Sequence, residues 1–178
     1  MLYAYLESSI GPLLISGEEH AIHRITFPRD GKAARPEAGW QQTENPRGSL
    51  AQAIRELNEY FAGTRTNFDF PIAPKGTPFQ LSVWQALSEI PFGSTISYGE
   101  LARRVGNPNA SRAVGTANGS NRLPIVIPCH RVINASGTIG GFSGGVPVKE
   151  KLLALEQSVL RAKGIRGRRA VQQALPLR

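Results

Sequence analysis

The stretch NPNASRAVGTANGSNRLPIVIPCHRVI, residues 107–133, decides how the second half of this chain folds. The Asn-Pro turn at its start follows the segment SYGELARRVG (97–106), whose spacing predicts a short helix. After the turn, SRAVGTANGS (111–120) predicts a second short helix. A helix, a tight turn and another helix form a helix-turn-helix, so we expect one here.

The second predicted helix is unusual because nearly all of its side chains are small, as at Ala113, Gly115 and Ala117. A helix that fills a protein core needs bulky side chains to reach close packing. Small side chains instead indicate a close approach to a flat or grooved partner.

The rest of the chain divides into a sheet-forming half and a helical half. Residues 2–27 contain two or three short apolar segments typical of strands, and 28–48 form a surface loop rich in Pro, Gly and charge. Apolar residues at helical spacing predict a helix over 49–64, with Ser49 as its N-cap. A short strand and a linker follow, which places a domain boundary near 72–77.

Beyond that boundary, helical segments dominate the pattern. A helix is predicted within 77–94, and an apolar strand is predicted over 125–133. The glycine-rich loop SGTIGGFSGG (136–145) leads into a final helix over 147–160.

These elements predict a mixed α/β (α+β) fold with two domains. We expect a sheet-and-helix domain over 1–75 and a mostly helical domain with the helix-turn-helix over 76–160. Residues 161–178 form a basic tail that we expect to be flexible.

Composition excludes several classes of protein. A hydrophobic fraction of 40% with 19% charged residues is typical of a soluble globular protein, and no apolar run is long enough to cross a bilayer. A single cysteine excludes a disulfide framework and favours the reducing cytoplasm. His20 and His23, with no cysteine near them, are too few for a tetrahedral zinc site, so we expect no metal and no cofactor.

The net charge of +8 is unevenly distributed. All thirteen acidic residues lie at or before Glu156, and six cationic residues follow it. Within 97–131, five arginines stand against the single acid Glu100, which favours a polyanionic partner. These arginines are Arg103, Arg104, Arg112, Arg122 and Arg131.

The lone cysteine, Cys129, either fills space or reacts. Buried cysteines usually act as small hydrophobic side chains. Here His130 follows directly, and Pro128 can break the strand so that the two side chains cooperate. A histidine backed by a carboxylate activates a thiol, and Glu156 is a candidate for that carboxylate.

The residues leave three functional classes open. A cysteine hydrolase would use Cys129, His130 and Glu156 for repeated turnover, although no oxyanion hole is evident in the sequence. A non-enzymatic binder would be a helix-turn-helix regulator or a sensor of damaged DNA. The third class is an enzyme that transfers a group to its own cysteine.

The third class is favoured by a resemblance to a known family. The core IPCHRVI (127–133), preceded by NPNASRAVGTANGSN (107–121) and followed by GGFSGGVPVKEKLLALE (140–156), resembles the O6-alkylguanine-DNA alkyltransferases. The resemblance covers about residues 76–157. Residues 1–75 resemble the ribonuclease-H-like N-terminal domain of that family.

The resemblance implies a role for each residue around the cysteine. Cys129 is the expected alkyl acceptor, and His130 is the base that takes its proton through a water. Glu156 holds His130, and Asn121 fixes the turn that leads to the cysteine. Tyr98 lies in the pocket and polarises the guanine ring.

The resemblance also implies how the base is held. Ser143 and the backbone of Val132 are expected to hydrogen-bond its edge, with Phe142 and Gly144 beside them. Some members of the family have Tyr where this chain has Phe142, so a hydroxyl contact is lost while the ring can still pack on the base.

The second helix of the helix-turn-helix is expected to bind DNA. A base inside a duplex cannot reach a buried thiol, so it must be extruded. The resemblance implies that Arg112 enters the space left by the flipped nucleotide. The small neighbours of Arg112 fit the minor groove. They are Ala110, Ser111, Ala113 and Gly115.

The expected partner is therefore duplex DNA that contains alkylated bases. We expect irreversible transfer from O6-alkylguanine, and also from O4-alkylthymine, to Cys129. The protein is expected to act as a monomer in the cytoplasm, and cooperative binding along DNA is left open.

Overall fold

The N-terminal half of the chain is built on a small sheet. A computed structural model describes residues 1–165. Its first compact unit comprises 1–77 and 121–126. The strands of that unit are β1 (Leu2–Leu6), β2 (Leu13–Glu18), β3 (Ala21–Thr26) and β4 (Gln41–Gln42).

The sheet has the strand order β3-β2-β1-β4. The first three strands are antiparallel neighbours, and β4 pairs in parallel with β1 through Leu2 and Gln41. Strand β2 is buried along nearly its whole length because it lies in the middle of the sheet and contacts helix α1 (Gly48–Phe61). The predicted loop over 28–48 therefore contains a short edge strand.

Helix α1 begins one residue before the predicted N-cap. Ser49 lies inside the helix, where its Oγ donates a hydrogen bond to the carbonyl oxygen of Glu18 at 2.8 Å. Arg47 occupies the N-cap position and makes no side-chain capping bond. The prediction of Ser49 as the cap was wrong, because its hydroxyl ties the helix to the sheet instead.

The second compact unit comprises 78–120 and the described residues from 127 onward. Its helices are α2 (Pro78–Ser88), α3 (Tyr98–Arg104), α4 (Ser111–Gly119) and α5 (Val146–Ala162). Two short strands, β5 (Ile96–Ser97) and β6 (Val132–Ile133), pair in parallel. Helices α3 and α4 pack together across the turn at 105–110, as the helix-turn-helix prediction requires.

The segment around the cysteine is not the predicted continuous strand. Residues Cys129–Arg131 form one turn of 3₁₀ helix, and only Val132–Ile133 is a strand. Before this turn, Ile125 adopts a φ of 75°, which is rare for a β-branched residue. Pro128 caps the 3₁₀ turn with a φ of −81°. The high apolar content of the segment reflects burial rather than strand structure.

Residues 121–126 belong to the first compact unit. The backbone nitrogen of Ile25 in β3 donates to the carbonyl oxygen of Arg122 at 2.9 Å. This grouping differs from the sequence-based division, which assigned all of 76–160 to one domain. Of the predicted flexible tail over 161–178, residues 166–178 lie outside the described part of the chain.

The architecture confirms the predicted fold class. It is a mixed α/β protein with an N-terminal sheet unit and a mostly helical second unit. Between residues 1 and 165, no helix combines the length and apolar character needed to cross a membrane.

A pair of glycines tests the packing of the second unit. Gly93 and Gly106 both have positive φ, 72° and 78°. A Cβ at Gly93 would lie 2.2 Å from Cδ1 of Leu160, whereas a Cβ at Gly106 would meet nothing within 4 Å. We expect Gly106→Ala to lower the free energy of unfolding by about 1–2 kcal/mol. Gly93→Ala should cost about 1–3 kcal/mol more because of overpacking.

Urea denaturation of both variants measures this difference. Equal losses would contradict the packing of Gly93 against α5.

Candidate active site

The tight turn at Cys129 brings the cysteine and the histidine out of strand geometry. The backbone nitrogen of Cys129 donates to the carbonyl oxygen of Ile127 at 2.8 Å, and that of Arg131 donates to Pro128 at 3.0 Å. Cys129 is 1% exposed. Because side chains in a strand alternate between faces, the 3₁₀ turn removes the obstacle to cooperation between Cys129 and His130.

His130 is paired with a carboxylate from a distant helix. Its Nε2 lies 2.7 Å from Oε1 of Glu156 on α5, and both side chains are fully buried. This is the histidine–carboxylate pair that the sequence predicted. A buried carboxylate is costly unless it is hydrogen-bonded. The bond from His130 to Glu156 is therefore favoured and holds the imidazole ring in one orientation.

Glu156 accepts hydrogen bonds from three residues, His130, Arg131 and Gly93. Besides His130, the Nε and Nη2 of Arg131 each donate to it at 3.0 Å, and the backbone nitrogen of Gly93 donates at 2.8 Å. Burial alone would raise the pKa of Glu156, but His130 and Arg131 outweigh burial and lower this pKa to about 2. Glu156 is therefore a carboxylate at physiological pH.

His130 is a neutral imidazole at physiological pH because its surroundings lower its pKa. Burial lowers its pKa, and the positive charges of Arg131 and Lys149 add to this effect, against the opposing influence of Glu156. With Nε2 directed at the carboxylate, the proton of the ring belongs on Nε2. The other nitrogen, Nδ1, is buried and has no hydrogen-bond partner within residues 1–165. His130 thus offers a buried lone pair that can accept a proton.

A second buried cation lies on α5. Lys149 is fully buried, and its Nζ donates to the carbonyl oxygen of Val132 at 2.6 Å and of Gly141 at 3.4 Å. The same nitrogen lies 5.8 Å from the ring centre of Phe142. Burial lowers the pKa of Lys149 to about 8, although negative charge on Cys129 raises it. Lys149 therefore links β6 to the glycine-rich loop and places a positive charge within electrostatic reach of the thiol.

A cavity of about 390 Å³ opens beside this cluster. Burial raises the pKa of Tyr98 in its wall, and negative charge on Cys129 raises this pKa further. The cavity brings together four predicted site residues, while Val132 is buried outside its lining and Gly144 is half-buried next to Ser143. The lining residues are Tyr98, Gly115, Asn118, Gly119, Gly141, Phe142 and Ser143.

Strand pairing explains how Tyr98 reaches the cavity. Strand β5 pairs with β6 through Ile96 and Val132, and α3 begins directly after β5 with Tyr98. Because β6 follows the cysteine turn, this pairing places the start of α3 beside that turn. Ser97 caps the helix by accepting a hydrogen bond from the backbone nitrogen of Glu100 at 3.1 Å.

Helix α4 begins with an exposed turn that borders the cavity. Ala110 precedes it as a half-buried N-cap residue, and the next three residues, Ser111 to Ala113, are exposed. Arg112 has no ion pair within the described part of the chain. Gly115 lies one helical turn further on, next to Ser111 and Arg112 on the helix surface, and a Cβ there would lie 3.8 Å from the ring of Tyr98. The exposed small residues and Arg112 therefore border the part of α4 that lines the cavity.

The basic segment over 97–131 does not form one continuous cationic surface. Arg131 is buried and bound to Glu156, and Arg103 and Arg104 both pair with Glu100. The prediction of a polyanionic partner counted these five arginines together. Of those in the second unit, Arg112 is exposed without an acidic partner among the described residues.

Two asparagines have distinct positions. Asn121 is buried in the first unit, and its Oδ1 accepts a hydrogen bond from the backbone nitrogen of Leu123 at 2.9 Å, which closes a turn. Asn118 on α4 was not predicted as a site residue. Its Nδ2 donates to the carbonyl oxygen of Cys129 at 3.4 Å.

The sequence also missed Arg131, Lys149 and Gly93. Helical spacing could have found Lys149, because it falls on the same side of α5 as the buried residues Leu152 and Glu156. Nothing local distinguishes Gly93, because its contact with Glu156 spans 63 residues. Within residues 1–165, no group of three His, Cys, Asp or Glu side chains could hold a metal ion.

The paired charges predict a specific dependence of stability on pH. The pKa of Glu156 is depressed from 4.5 to about 2 on folding. Its contribution to stability is therefore complete above about pH 4.5 and is lost as the pH falls toward 2. We expect Glu156→Gln to cost about 3 kcal/mol at pH 7 and to remove this acid dependence.

Urea denaturation between pH 2.5 and 7 measures both effects. Glu100→Gln, which removes a solvent-screened carboxylate on α3, serves as the control and should cost far less. The same loss in both variants would contradict the buried network.

Comparison with known proteins identifies the family. Residues 78–158 match the profile of the 6-O-methylguanine DNA methyltransferase, DNA binding domain. Residues 1–74 match the profile of the 6-O-methylguanine DNA methyltransferase, ribonuclease-like domain. The resemblance inferred from the cysteine motif is confirmed over both halves of the chain.

Individual relatives extend over nearly the whole length. The methylated-DNA–protein-cysteine methyltransferase of Methanosarcina acetivorans is 47% identical over 158 residues, which is 89% of this chain and 99% of that protein. The constitutive enzyme of that name from Bacillus subtilis is 42% identical over 156 residues, covering 87% of this chain and 94% of that protein.

Solved structures agree with these relatives. The crystal structure of Mycobacterium tuberculosis OGT in complex with DNA has a TM-score of 0.81 and 42% identity, covering 89% of this chain and 94% of that one. The structure of the O6-methylguanine methyltransferase from the same organism gives 0.79 and 43%, covering 88% and 92%. The chain therefore belongs to the 6-O-methylguanine DNA methyltransferase family.

Proposed function

We propose that this protein repairs DNA by moving the alkyl group of O6-alkylguanine irreversibly onto Cys129, and that O4-alkylthymine is a further substrate. It would act as a methylated-DNA–protein-cysteine S-methyltransferase, and each molecule would carry out the transfer once. The observation that carries this proposal is the buried Cys129 directly before a neutral His130 that an ionised Glu156 holds.

The transfer follows from this proton arrangement. Nδ1 of His130 accepts the thiol proton through a water, and the thiolate attacks the alkyl carbon. The sulfur–carbon bond forms as the oxygen–carbon bond breaks, and that electron pair returns to the guanine, which takes up one proton. The resulting thioether is not hydrolysed, so the protein is consumed.

The cavity beside Tyr98 would hold the extruded base. Phe142 offers a ring that can pack on the base, and Ser143 and Gly144 follow it on the same loop. The hydrogen bond from Lys149 to the carbonyl oxygen of Val132 holds the backbone of Val132 in place. That backbone would hydrogen-bond the edge of the base. Tyr98 would polarise the guanine ring as the alkyl group leaves.

Helix α4 would approach the minor groove of the DNA. The small residues Ala110, Ser111 and Ala113 allow a close approach, and Gly115 leaves room where the helix borders the cavity. Arg112 would fill the space that the flipped nucleotide leaves. Asn121 would fix the turn that leads to the cysteine segment. We further propose that the protein works as a cytoplasmic monomer.

Replacement of the cysteine tests the nucleophile. Cys129→Ala should reduce transfer of a labelled methyl group from duplex DNA to background, because no other thiol exists in the chain. Binding to the same lesion-bearing duplex should persist, since α4 and the cavity are unchanged. Transfer assays and gel-shift titrations measure the two properties. Persistent transfer would show that Cys129 is not the acceptor.

Replacement of the arginine tests base extrusion. Arg112→Ala should slow transfer from duplex DNA by about tenfold, because extrusion costs a few kcal/mol. Transfer from free O6-benzylguanine, which needs no extrusion, should change much less. Arg55→Ala on the exposed side of α1 is the matched control for lost charge and should leave both rates unchanged. Equal losses on both substrates in Arg112→Ala would argue against this role.

A further inference from the structure

The guanidinium group of Arg131 is buried and is held by contacts with a carboxylate, a backbone carbonyl and an aromatic ring. Its Nε and Nη2 form a two-pronged contact with Glu156, and its Nη1 donates to the carbonyl oxygen of Ile90 at 2.6 Å. The guanidinium also lies 5.6 Å from the ring centre of Phe92. These contacts fix a permanent positive charge on the carboxylate that also binds His130, since a guanidinium does not lose its proton in proteins.

Arg131 rather than Lys149 neutralises Glu156, because Arg131 donates directly to the carboxylate, whereas Lys149 donates to the backbone carbonyl oxygens of Val132 and Gly141. Glu156 on α5 contributes one negative charge, Arg131 on the same turn contributes one positive charge, and Lys149 on α5 adds another. The remaining titratable neighbour on the turn is Cys129. With Arg131 in place, the charge of Glu156 is already neutralised. A proton on His130 would then add an unbalanced positive charge to a buried site, which is costly.

We propose that Arg131 is a positioning residue that keeps His130 neutral by occupying the charge of Glu156. Without a positive charge at residue 131, Glu156 would draw a proton from solvent onto His130 and hold it as an imidazolium. Its Nδ1 would then be a hydrogen-bond donor rather than an acceptor. The value of this device rests on the proposed function, in which His130 accepts the thiol proton of Cys129.

Histidine titration by NMR tests the proposal directly. The chain has three histidines, so the imidazole signals of His130 can be assigned by substituting His20 and His23. In the unsubstituted protein, His130 should remain neutral well below pH 6.5. In Arg131→Met its titration midpoint should rise by about 1–3 pH units.

Further variants separate charge from packing. Arg131→Gln is also neutral and keeps a polar group, so it provides the measurement if Arg131→Met does not fold. Arg131→Lys retains the charge, so any rise in its midpoint should be less than half of that in Arg131→Met. The double variant Arg131→Met/Glu156→Gln removes both charges, so its midpoint should fall again because burial alone then dominates. Arg65→Gln, which removes a carboxylate-bound arginine from the first unit, should leave the His130 midpoint unchanged.

An unchanged His130 midpoint in the neutral variants would overturn the proposal. A rise in Arg131→Lys as large as that in Arg131→Met would also overturn it, because shape rather than charge would then be decisive. The titration needs neither DNA nor alkyl transfer. A failure of this inference is therefore distinguishable from a failure of the proposed function, which would appear as absent transfer in the unsubstituted protein.

Discussion

The carboxylate of Glu156 is the acceptor on which the site of this protein depends. It receives donors from the loop at Gly93 and from the cysteine turn through His130 and Arg131, so it joins segments that are far apart in sequence to α5. A buried charge with fewer donors would be too costly to retain. The network therefore fixes the turn that carries Cys129, sets the ionisation of His130 and anchors α5.

Packing connects this network to the helix-turn-helix. The indole nitrogen of Trp84 on α2 donates to the carbonyl oxygen of Ala117 on α4 at 2.8 Å, and Asn118 on the same helix reaches the carbonyl oxygen of Cys129. Small residues on α4 leave the cavity open next to Tyr98. One short helix therefore serves as the wall of the cavity and as the exposed surface that we propose for DNA. This dual use explains why bulky side chains are absent from it.

The sequence predicted the elements that have a local signature. The motif around Cys129 identified the family, His130 and Glu156, and helical periodicity located α2 to α5. It failed at the strand over 125–133, because an apolar run indicates burial without specifying the backbone, and at Ser49, whose hydroxyl bonds to the sheet. Arg131 and Lys149 were missed for a different reason. Charged residues are almost never fully buried unless paired, and their partners become visible only after the chain has folded.

Alkyl transfer to Cys129 is tested most directly by the intact mass of the protein after mixing with a duplex that carries one O6-methylguanine. We expect the addition of a single methyl group, mapped to Cys129 and saturating at one per protein molecule. Repeated turnover without a mass change would instead indicate hydrolysis. An unchanged mass and an intact lesion, with the thiol reduced and the duplex bound, would contradict alkyl transfer and indicate a sensor of damaged DNA.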